Sequence, residues 1–468
     1  MRKAHPRRLS DADATFIHVG EATGQPPAPV GFSIYEGPFD PVKIEHLQAI
    51  QARMSSRRRQ RIARDRLSFA LPRWVDVPDF DPLTQAFEMD PPGDGTLRAV
   101  LDWAEEWALQ PFPEGLPPWR SQTFHGVLVD GVPRTVSVQQ SHHAMSDGEG
   151  GRLRGLQLVQ FSPDDPLPEI PDVPEEPIER LGPLARWAEG WGLELKALGG
   201  VLGRGARRGA SAARHPVATT RRLRAVVRDG KAMKADLGHT PSSPLLTRRS
   251  NRLQFDVFEV DLVALKAGAK SVGGTLNDGF LAAIALGLRR WHADHGLELP
   301  SVRTSMAVNR RAQGDDSLGN NMIAVIVPLP LDEDDPAELV RRCGEASRKH
   351  RTDGEGMRLM EVGRAIGTRL PKGIMVRAAR KNMGGIDVQV SNAPGLPYPY
   401  WVAGNQVLGG GAFPVGTLSG LAVIMASHGA TATFGMITDP AVVTDRDRLV
   451  AHLQAGFAAI DALAVGVG

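Results

Sequence analysis

The chain has 468 residues, of which 42% are hydrophobic and 23% are charged. This composition excludes general disorder, and the length predicts two or three domains. A net charge of +2 excludes a strong overall field for nucleic acid, and the single cysteine, Cys343, excludes an internal disulfide. No apolar run reaches the ~20 residues of a membrane span and no signal peptide is recognisable, so we expect a cytoplasmic protein.

The first predicted elements are a strand at residues 31–36 and a helix that begins near Pro41. This helix runs into seven arginines between Arg53 and Arg66. Such a run forms either a solvated helix face or a contact with phosphates or an anionic membrane, and its charge does not choose between them.

A helical pattern follows at Leu97–Leu109, and extended runs at 124–129 and 135–139 enclose Asp130-Gly131. An Asp-Gly pair between two alternating runs is typical of a tight β-hairpin. The predicted hairpin leads directly into Ser141-His142-His143.

The middle of the chain changes composition twice. Residues 162–180 are rich in Pro, Asp and Glu and predict a linker, and residues 184–203 have the apolar spacing of an amphipathic helix. From Arg204 to Lys234 the chain carries ten Lys or Arg residues and one Asp. This basic segment is predicted to be either a crossover between domains or a mobile arm.

The C-terminal half again mixes strands and helices. The alternating runs that predict strands lie at 254–260, 301–308, 322–328, 386–391, 421–427 and 431–437, and the helical runs lie at 276–291 and 446–464. Both halves therefore predict an α+β lobe. We place the N-terminal lobe at 1–165, a linker or crossover at 166–250 and the C-terminal lobe at 251–468.

The sharpest local feature is His142-His143-Ala144-Met145-Ser146-Asp147-Gly148. A neutral imidazole accepts a proton from a hydroxyl near pH 7, which an alcohol needs in order to attack a thioester. Asp147 is placed either to pair with an arginine or to orient an imidazole, and Gly148 permits close backbone approach. The alternatives are a structural histidine pair and a fragment of a metal site, for which His125 and His428 are candidate ligands.

This heptapeptide matches the His-His-x-x-x-Asp-Gly signature of coenzyme A-dependent acyltransferases. Further motifs, in order along the chain, resemble the bacterial wax ester synthase/diacylglycerol acyltransferase family. They are Leu9-Ser10-x-x-Asp13-x-x-Phe16, Pro117-Pro118-Trp119, Thr275-Leu276-Asn277-Asp278, Gly319-Asn320 after Arg310-Arg311, Ser391-Asn392-Ala393-Pro394-Gly395, and Phe413-Pro414 to Gly420-Leu421 with Ser427, Gly435 and Asp439. Jointly these motifs cover nearly the whole chain.

Some positions depart from the family pattern. Pro118 stands where a leucine is usual, Thr84 and Gln85 stand where a histidine is usual, and His428 stands where a tyrosine is usual. These departures bear on the identity of the substrate more than on the class of reaction.

The resemblance implies a two-lobe fold like that of chloramphenicol acetyltransferase, in which each lobe is a mixed β-sheet flanked by helices and the active site is a tunnel between the lobes. It implies that His143 is the general base, that His142 supports it and that Asp147 is mainly structural. It also implies a set of residues that contact the substrate, namely Gly148, Asp278, Ser391, Asn392, Pro394 and Gly395. No metal and no cofactor are expected.

Local physics gives a separate interpretation of Asn277. Thr275 and Asp278 have the spacing of a capping box, which places Asn277 in the first turn of the next helix. The unpaired N–H groups and positive partial charge of a helix N-terminus stabilise a developing oxyanion. Asn277 is therefore either a catalytic donor to the tetrahedral intermediate or part of an ordinary cap.

The expected reaction transfers a long-chain acyl group from acyl-coenzyme A, a substrate, to a hydroxyl of diacylglycerol or of a fatty alcohol. No Gly-x-Ser-x-Gly elbow is present, so direct transfer without an acyl-enzyme is expected. The expected partners are the donor, the lipid acceptor and a peripheral surface, either the inner face of the membrane or a lipid droplet. The alternatives are a condensation-type acyltransferase that uses a carrier-protein thioester, and an inactive lipid-binding homologue.

Overall fold

The computed structural model describes residues 8–63, 71–145, 155–171, 243–247, 252–309, 322–351, 385–416 and 419–467, with isolated positions between 151 and 199 and at 250, 374 and 377. Part of the predicted linker, the basic segment at 204–234 and the motif at 310–320 lie outside these residues.

The first sheet is mixed and has six strands, four from the N-terminal part of the chain and two from its C-terminal part, in the order β11-β12-β1-β6-β5-β4. Its strands are β1 (Val30–Tyr35), β4 (Ala86–Met89), β5 (Trp119–Val129), β6 (Val132–Ser141), β11 (Trp401–Val402) and β12 (Asn405–Phe413). The predicted hairpin is confirmed, since β5 and β6 are antiparallel and Asp130 and Gly131 both adopt positive φ at its turn. A separate two-stranded sheet pairs β2 (Gln60–Ala63) with β3 (Arg73–Asp76).

The C-terminal part forms a second six-stranded mixed sheet with the order β7-β14-β13-β10-β8-β9. Its strands are β7 (Gln254–Asp261), β8 (Ser301–Asn309), β9 (Met322–Pro330), β10 (Val388–Ala393), β13 (Leu421–His428) and β14 (Thr431–Thr438). The strands β8, β10 and β13 are parallel to one another, and the remaining pairs are antiparallel.

Helices flank both sheets, which confirms the expected α+β class. They are α1 (Asp11–Thr23), α2 (Pro41–Met54), α3 (Leu97–Leu109), α4 (Leu262–Ser271), α5 (Leu276–Asp294), α6 (Pro336–Arg351) and α7 (Arg446–Asp461). The helix α5 is the centre of the C-terminal core, since Phe280 to Leu288 are buried without a break. Burial on all sides explains why its apolar residues exceed a single stripe.

The two sheets are joined by a strand that the sequence did not predict. The strand β12 comes from the predicted C-terminal lobe but pairs with β1 of the first sheet. Its other side packs on the second sheet, where Phe413 stacks on Phe255 at 4.1 Å between ring centroids. The boundaries 1–165, 166–250 and 251–468 stay a prediction, and the structure adds this exchange of residues 401–413 between the lobes.

Two arginines of the run between Arg53 and Arg66 turn into the protein, contrary to a fully solvated or lipid-facing stretch. Arg57 is buried and lies 4.5 Å above the Trp74 ring, and Arg58 lies 3.6 Å above the Trp119 ring. A guanidinium is attracted to an aromatic face, and its aliphatic stem packs on apolar surface. The two tryptophan rings therefore hold these two arginines against the protein.

No single described helix is long and apolar enough to cross a membrane. The pair α4 and α5, bent by 96° at its break, meets the criteria of length and composition only when its two helices are taken together.

Candidate active site

The loop that carries His142 and His143 follows β6 and is fixed by two backbone hydrogen bonds. The His142 N–H donates to the carbonyl of Pro118 at 2.9 Å, and the His143 N–H donates to the carbonyl of Pro27 at 3.0 Å. The motif Pro117-Pro118-Trp119 therefore has a structural task here. It begins β5, and Trp119 is buried and donates its indole N–H to the Arg58 carbonyl.

His142 is buried and neutral. Its Nδ1 accepts a hydrogen bond from the Ala144 N–H at 3.1 Å, which leaves the ring proton on Nε2. Burial, and secondly the neighbouring His143, lower the pKa of His142 to about 3. His142 thus stabilises the loop and carries no positive charge at neutral pH.

His143 is half-buried and its ring is stacked on Phe16 of α1. The two ring centroids are 4.0 Å apart and the ring planes differ by 11°. Stacking covers a face of the imidazole and leaves both nitrogens at the ring edge, where hydrogen bonds form. Asp147 and Gly148, the other predicted residues of this motif, lie outside the described residues.

The capping box at the start of α5 is confirmed. The Thr275 hydroxyl accepts from the Asp278 N–H at 3.3 Å, and the Asp278 carboxylate accepts from the Thr275 N–H at 2.9 Å. Asp278 is buried and its carboxylate serves the cap. Its expected contact with substrate stays a prediction. Asn277 lies beside Asp278 in the first turn, with Nδ2 at 3.7 Å from the sulfur of Met306.

The motif at 391–395 lies at the end of β10 and in the loop that follows. Ser391 is half-buried and pairs in register with Ile424, whereas Asn392, Pro394 and Gly395 are exposed. The Gly395 N–H donates to the Ser427 hydroxyl at 2.9 Å. Their predicted contact with substrate stays a prediction.

The predicted residues fall into two groups on the two sheets. His142 and His143 follow β6 of the first sheet, whereas Asn277 lies in α5 of the C-terminal part and the 391–395 motif lies at the end of β10 of the second sheet. A small cavity between the sheets adjoins the segment that holds His143. It is lined by both halves of the chain, among them Gln25, Ala28, Gln140, Phe255, Pro414 and Ile437.

Away from the histidine loop, a serine hydroxyl and an imidazole form a hydrogen-bonded pair that is buried from solvent. The Ser243 hydroxyl bonds Nε2 of His292 at 2.7 Å, while Nδ1 of His292 donates to the Leu288 carbonyl at 2.7 Å. Ser243 is 0% exposed and His292 is 1% exposed. No substrate reaches this pair, so it is structural and holds the returning chain against α5.

The single cysteine is also unreactive. Cys343 is buried in α6, and burial raises the pKa of its thiol to about 12. Among the described residues, no group of three or more His, Cys, Asp or Glu side chains is arranged to hold a metal ion.

Sequence reasoning missed two partners of the loop, Phe16 and Pro27. Phe16 was part of a recognised motif, and the capping spacing Ser10-x-x-Asp13 places it one turn into α1. Its contact with a residue 127 positions later has no local signal, since it depends on how α1 packs against the end of β6.

Comparison with known proteins agrees with this architecture. The wax ester synthase/diacylglycerol acyltransferase catalytic domain matches residues 9–280, and the C-terminal domain of the same family matches residues 318–461. A Mycobacterium tuberculosis protein named as a candidate diacylglycerol O-acyltransferase is 30% identical over 420 residues, covering 88% of this chain and 82% of its own. A second such protein from that organism is 23% identical and covers 97% and 96%.

Solved structures show the same fold. The wax ester synthase/diacylglycerol acyltransferase of Marinobacter aquaeolei is 16% identical, with a TM-score of 0.64 over 98% of this chain and 100% of its own. The first condensation domain of the calcium-dependent antibiotic synthetase is 14% identical, with a TM-score of 0.61 over 99% and 97%. These likenesses confirm the two-lobe fold. The match to both family domains distinguishes the wax ester synthase/diacylglycerol acyltransferase family from the condensation domains that share this fold. The chain belongs to the wax ester synthase/diacylglycerol acyltransferase family.

Proposed function

We propose that this protein transfers a long-chain acyl group from acyl-coenzyme A to the hydroxyl of a lipid, with His143 as the general base and diacylglycerol as the first acceptor to test. The observation that carries the proposal is the difference in burial between the two histidines. Burial keeps His142 neutral, whereas His143 is half-buried beside the cavity-lining segment. The names of the relatives support diacylglycerol as the acceptor.

In this reaction the acceptor hydroxyl gives its proton to His143 as its oxygen attacks the thioester carbon. A C–O bond forms, and the tetrahedral intermediate collapses with loss of the C–S bond. The imidazolium of His143 then returns the proton to the leaving thiolate, so the base is regenerated without an acyl-enzyme. The sealed Ser243–His292 pair offers no accessible nucleophile for a covalent route.

Asn277 is the proposed donor to the oxyanion of the intermediate. It lies in the first turn of α5, where the helix dipole favours negative charge. Its amide contacts the Met306 sulfur, which is a weak acceptor and gives up the donor at little cost. Met306 also lines a small apolar cavity with Leu281, Val327 and Cys343, so the surroundings of that amide on this side are apolar.

The decisive experiment incubates the protein with palmitoyl-coenzyme A and either a diacylglycerol or a fatty alcohol, beside a His143→Ala variant. Ester should form with wild-type protein, and its rate should fall by about 10²- to 10⁴-fold in the variant because the general base is lost. Product analysis by mass spectrometry identifies the acceptor. Thermal denaturation of both proteins serves as the folding control.

The remaining alternatives predict different results in the same assay. A condensation-type enzyme would use an acyl-carrier thioester and not acyl-coenzyme A, and a lipid-binding homologue would form no ester with either donor. Radioactive acyl groups trapped on the protein after brief mixing would contradict direct transfer. Full turnover by the His143→Ala variant would remove the base from the proposal.

We also propose peripheral binding to a lipid surface, where both lipid substrates reside. Helical residues between 184 and 196 carry exposed apolar side chains on one face, with Leu184 84%, Trp187 43% and Leu195 62% exposed. A face of this kind binds at the boundary between head groups and acyl chains. The arginines Arg57 and Arg58, which are held by tryptophan rings, supply little of this attraction.

Replacing both Leu184 and Trp187 by serine should reduce co-flotation with anionic phospholipid vesicles by about tenfold or more, because the apolar area available for burial in the lipid is lost. Val42→Ser is the matched control, since Val42 is 73% exposed on α2 but stands apart from this face. Equal flotation of the double variant and wild type would contradict this surface.

A further inference from the structure

The stack between Phe16 and His143 joins the start of the chain to the predicted base. The centroid distance of 4.0 Å and the interplanar angle of 11° describe a parallel face-to-face contact. The same parallel geometry occurs between Phe255 and Phe413, at 4.1 Å and 11°, so the angle alone does not indicate charge. What distinguishes this stack is that one of its rings is an imidazole, which becomes a cation when it accepts a proton.

Two features hold Phe16 in place. The capping box of Ser10 and Asp13 fixes the first turn of α1. Leu9, the residue before the cap, is 0% exposed and anchors the start of the helix in the core. Leu9 lies in one hydrophobic cluster with Ala144 and Met145 of the histidine loop. The start of α1 and the loop are thus one packed unit.

The far end of α1 completes this arrangement. The chain turns back after Gly24, which has a φ of 75°, and Pro27 then lies close to Gly20, where an added Cβ would meet its Cδ at 2.8 Å. The carbonyl of the same Pro27 accepts the His143 N–H. One short segment therefore holds both the backbone and the ring face of His143.

The chemistry of the reaction gives the stack a function. When His143 accepts the hydroxyl proton its ring gains a full positive charge, and a cation within about 6 Å of a ring centroid is attracted to the aromatic face. The adjoining His142 is held neutral by burial, so it does not repel that charge. The charged or titratable side chains on the elements packed against the loop include Asp11, Asp13, His18 and Glu21 on α1, Arg57 above Trp74, Arg58 above Trp119, and Arg73 on β3.

We propose that Phe16 is a positioning residue that orients the imidazole of His143 and stabilises its protonated form during acyl transfer. This inference rests on the proposed function of His143. It assigns the N-terminal helix a part in the proton transfer, which is distinct from binding either substrate.

The test compares Phe16→Leu, which keeps an apolar side chain without a ring, with Phe16→Tyr, which keeps the aromatic face. In Phe16→Leu, kcat should fall about 3- to 30-fold while KM for acyl-coenzyme A is unchanged. The acidic limb of the kcat/KM profile should also move to lower pH by about 0.5 to 1.5 units, because the imidazolium loses its stabilising partner. Phe16→Tyr should restore both the rate and the limb.

Phe80→Leu is the matched control, since Phe80 is a half-buried phenylalanine that packs against the same hydrophobic cluster and contacts Trp119. It should lower the melting temperature without moving the acidic limb. A limb that stays in place in Phe16→Leu, while His143→Ala is inactive, would overturn the role of Phe16 and leave the proposed function intact. Activity that survives His143→Ala would overturn both.

Discussion

Two adjacent histidines acquire different properties from their surroundings alone. His142 is 8% exposed and accepts a backbone N–H on Nδ1, so protonation would sacrifice a hydrogen bond and place a charge in the interior. His143, one residue later, is half-buried and lies against an aromatic face. A His-His pair in such a loop therefore consists of one buried, neutral ring and one half-buried ring against an aromatic face, which a motif alone does not reveal.

Gly395 shows the same distinction between a motif and its physical cause. It was predicted to contact substrate, but an added Cβ would lie only 1.9 Å from the Ser427 carbonyl oxygen. We expect Gly395→Ala to lose about 1 to 3 kcal/mol of stability, because the backbone of the β13–β14 hairpin must move. The melting temperature measures this loss.

Gly409→Ala is the control for that substitution, since nothing lies within 4 Å of a Cβ added at Gly409 and its φ is ordinary. Its melting temperature should stay near that of wild type. If the melting temperature of Gly395→Ala equals that of Gly409→Ala, the close approach to Ser427 is not the reason for a glycine at position 395.

The end of β6 is fixed by side chains as firmly as by its ladder. Arg120 on β5 donates to Gln140 and to the carbonyls of Trp107 and Gln110, and Gln140 donates to the Ala108 carbonyl at 2.9 Å. These carbonyls belong to the last turn of α3, which a cation stabilises. The network therefore locks the strand two residues before His142, and β6 and α3 form one support for the loop.

The elements predicted from sequence were those with local causes. The β5–β6 hairpin follows from Asp130-Gly131, and the start of α5 follows from the Thr275–Asp278 box. The strand β12 was not predicted, because Gly409-Gly410-Gly411 resembles a turn. At Gly411 an added Cβ would lie 2.9 Å from Cγ2 of Thr433 in the second sheet, so this glycine allows close packing between the two sheets rather than a reversal of the chain.

In the candidate site, too, the features predicted from sequence were those with local causes. The residues His142, His143 and Asn277 followed from motifs and capping rules, whereas the Phe16 contact depends on tertiary packing between distant segments. The Thr275–Asp278 spacing likewise predicted the cap in which the Asp278 carboxylate takes part. Residue types and spacing thus identify chemistry, and the structure decides which groups hold that chemistry in place.

The two lobes meet at a second joint besides β12. The strand β7 is an edge strand of the C-terminal sheet, and its Phe255 backbone is satisfied by side chains of α3 in the N-terminal lobe. The Phe255 N–H donates to Glu105 at 2.7 Å, and Arg98 donates to the Phe255 carbonyl at 2.6 Å. This arrangement covers a strand edge with a helix and ties the lobes through one residue.

This joint predicts how stability depends on pH. Burial is the largest influence on Glu105 and raises its pKa above the usual 4.5, against the opposing effect of the Phe255 N–H and Arg98. A carboxyl with a raised folded-state pKa stabilises the fold fully below its unfolded pKa and loses that contribution as pH rises through the folded value. The pKa of Asp256 beside it is also raised by burial, in the same direction.

Glu105→Gln keeps the oxygen that accepts the Phe255 N–H and removes the ionisation. Its melting temperature, compared with wild type, should therefore shift in favour of the variant as pH rises from about 4 to about 8, since only the wild type must ionise a half-buried carboxyl. Asp256 is present in both proteins, so its contribution to the pH dependence cancels in the comparison. Glu259→Gln on the exposed side of β7 is the control and should keep the wild-type dependence on pH. A constant difference between Glu105→Gln and wild type over this range would show that the joint does not resist ionisation, and that Arg98 fully compensates the burial of Glu105.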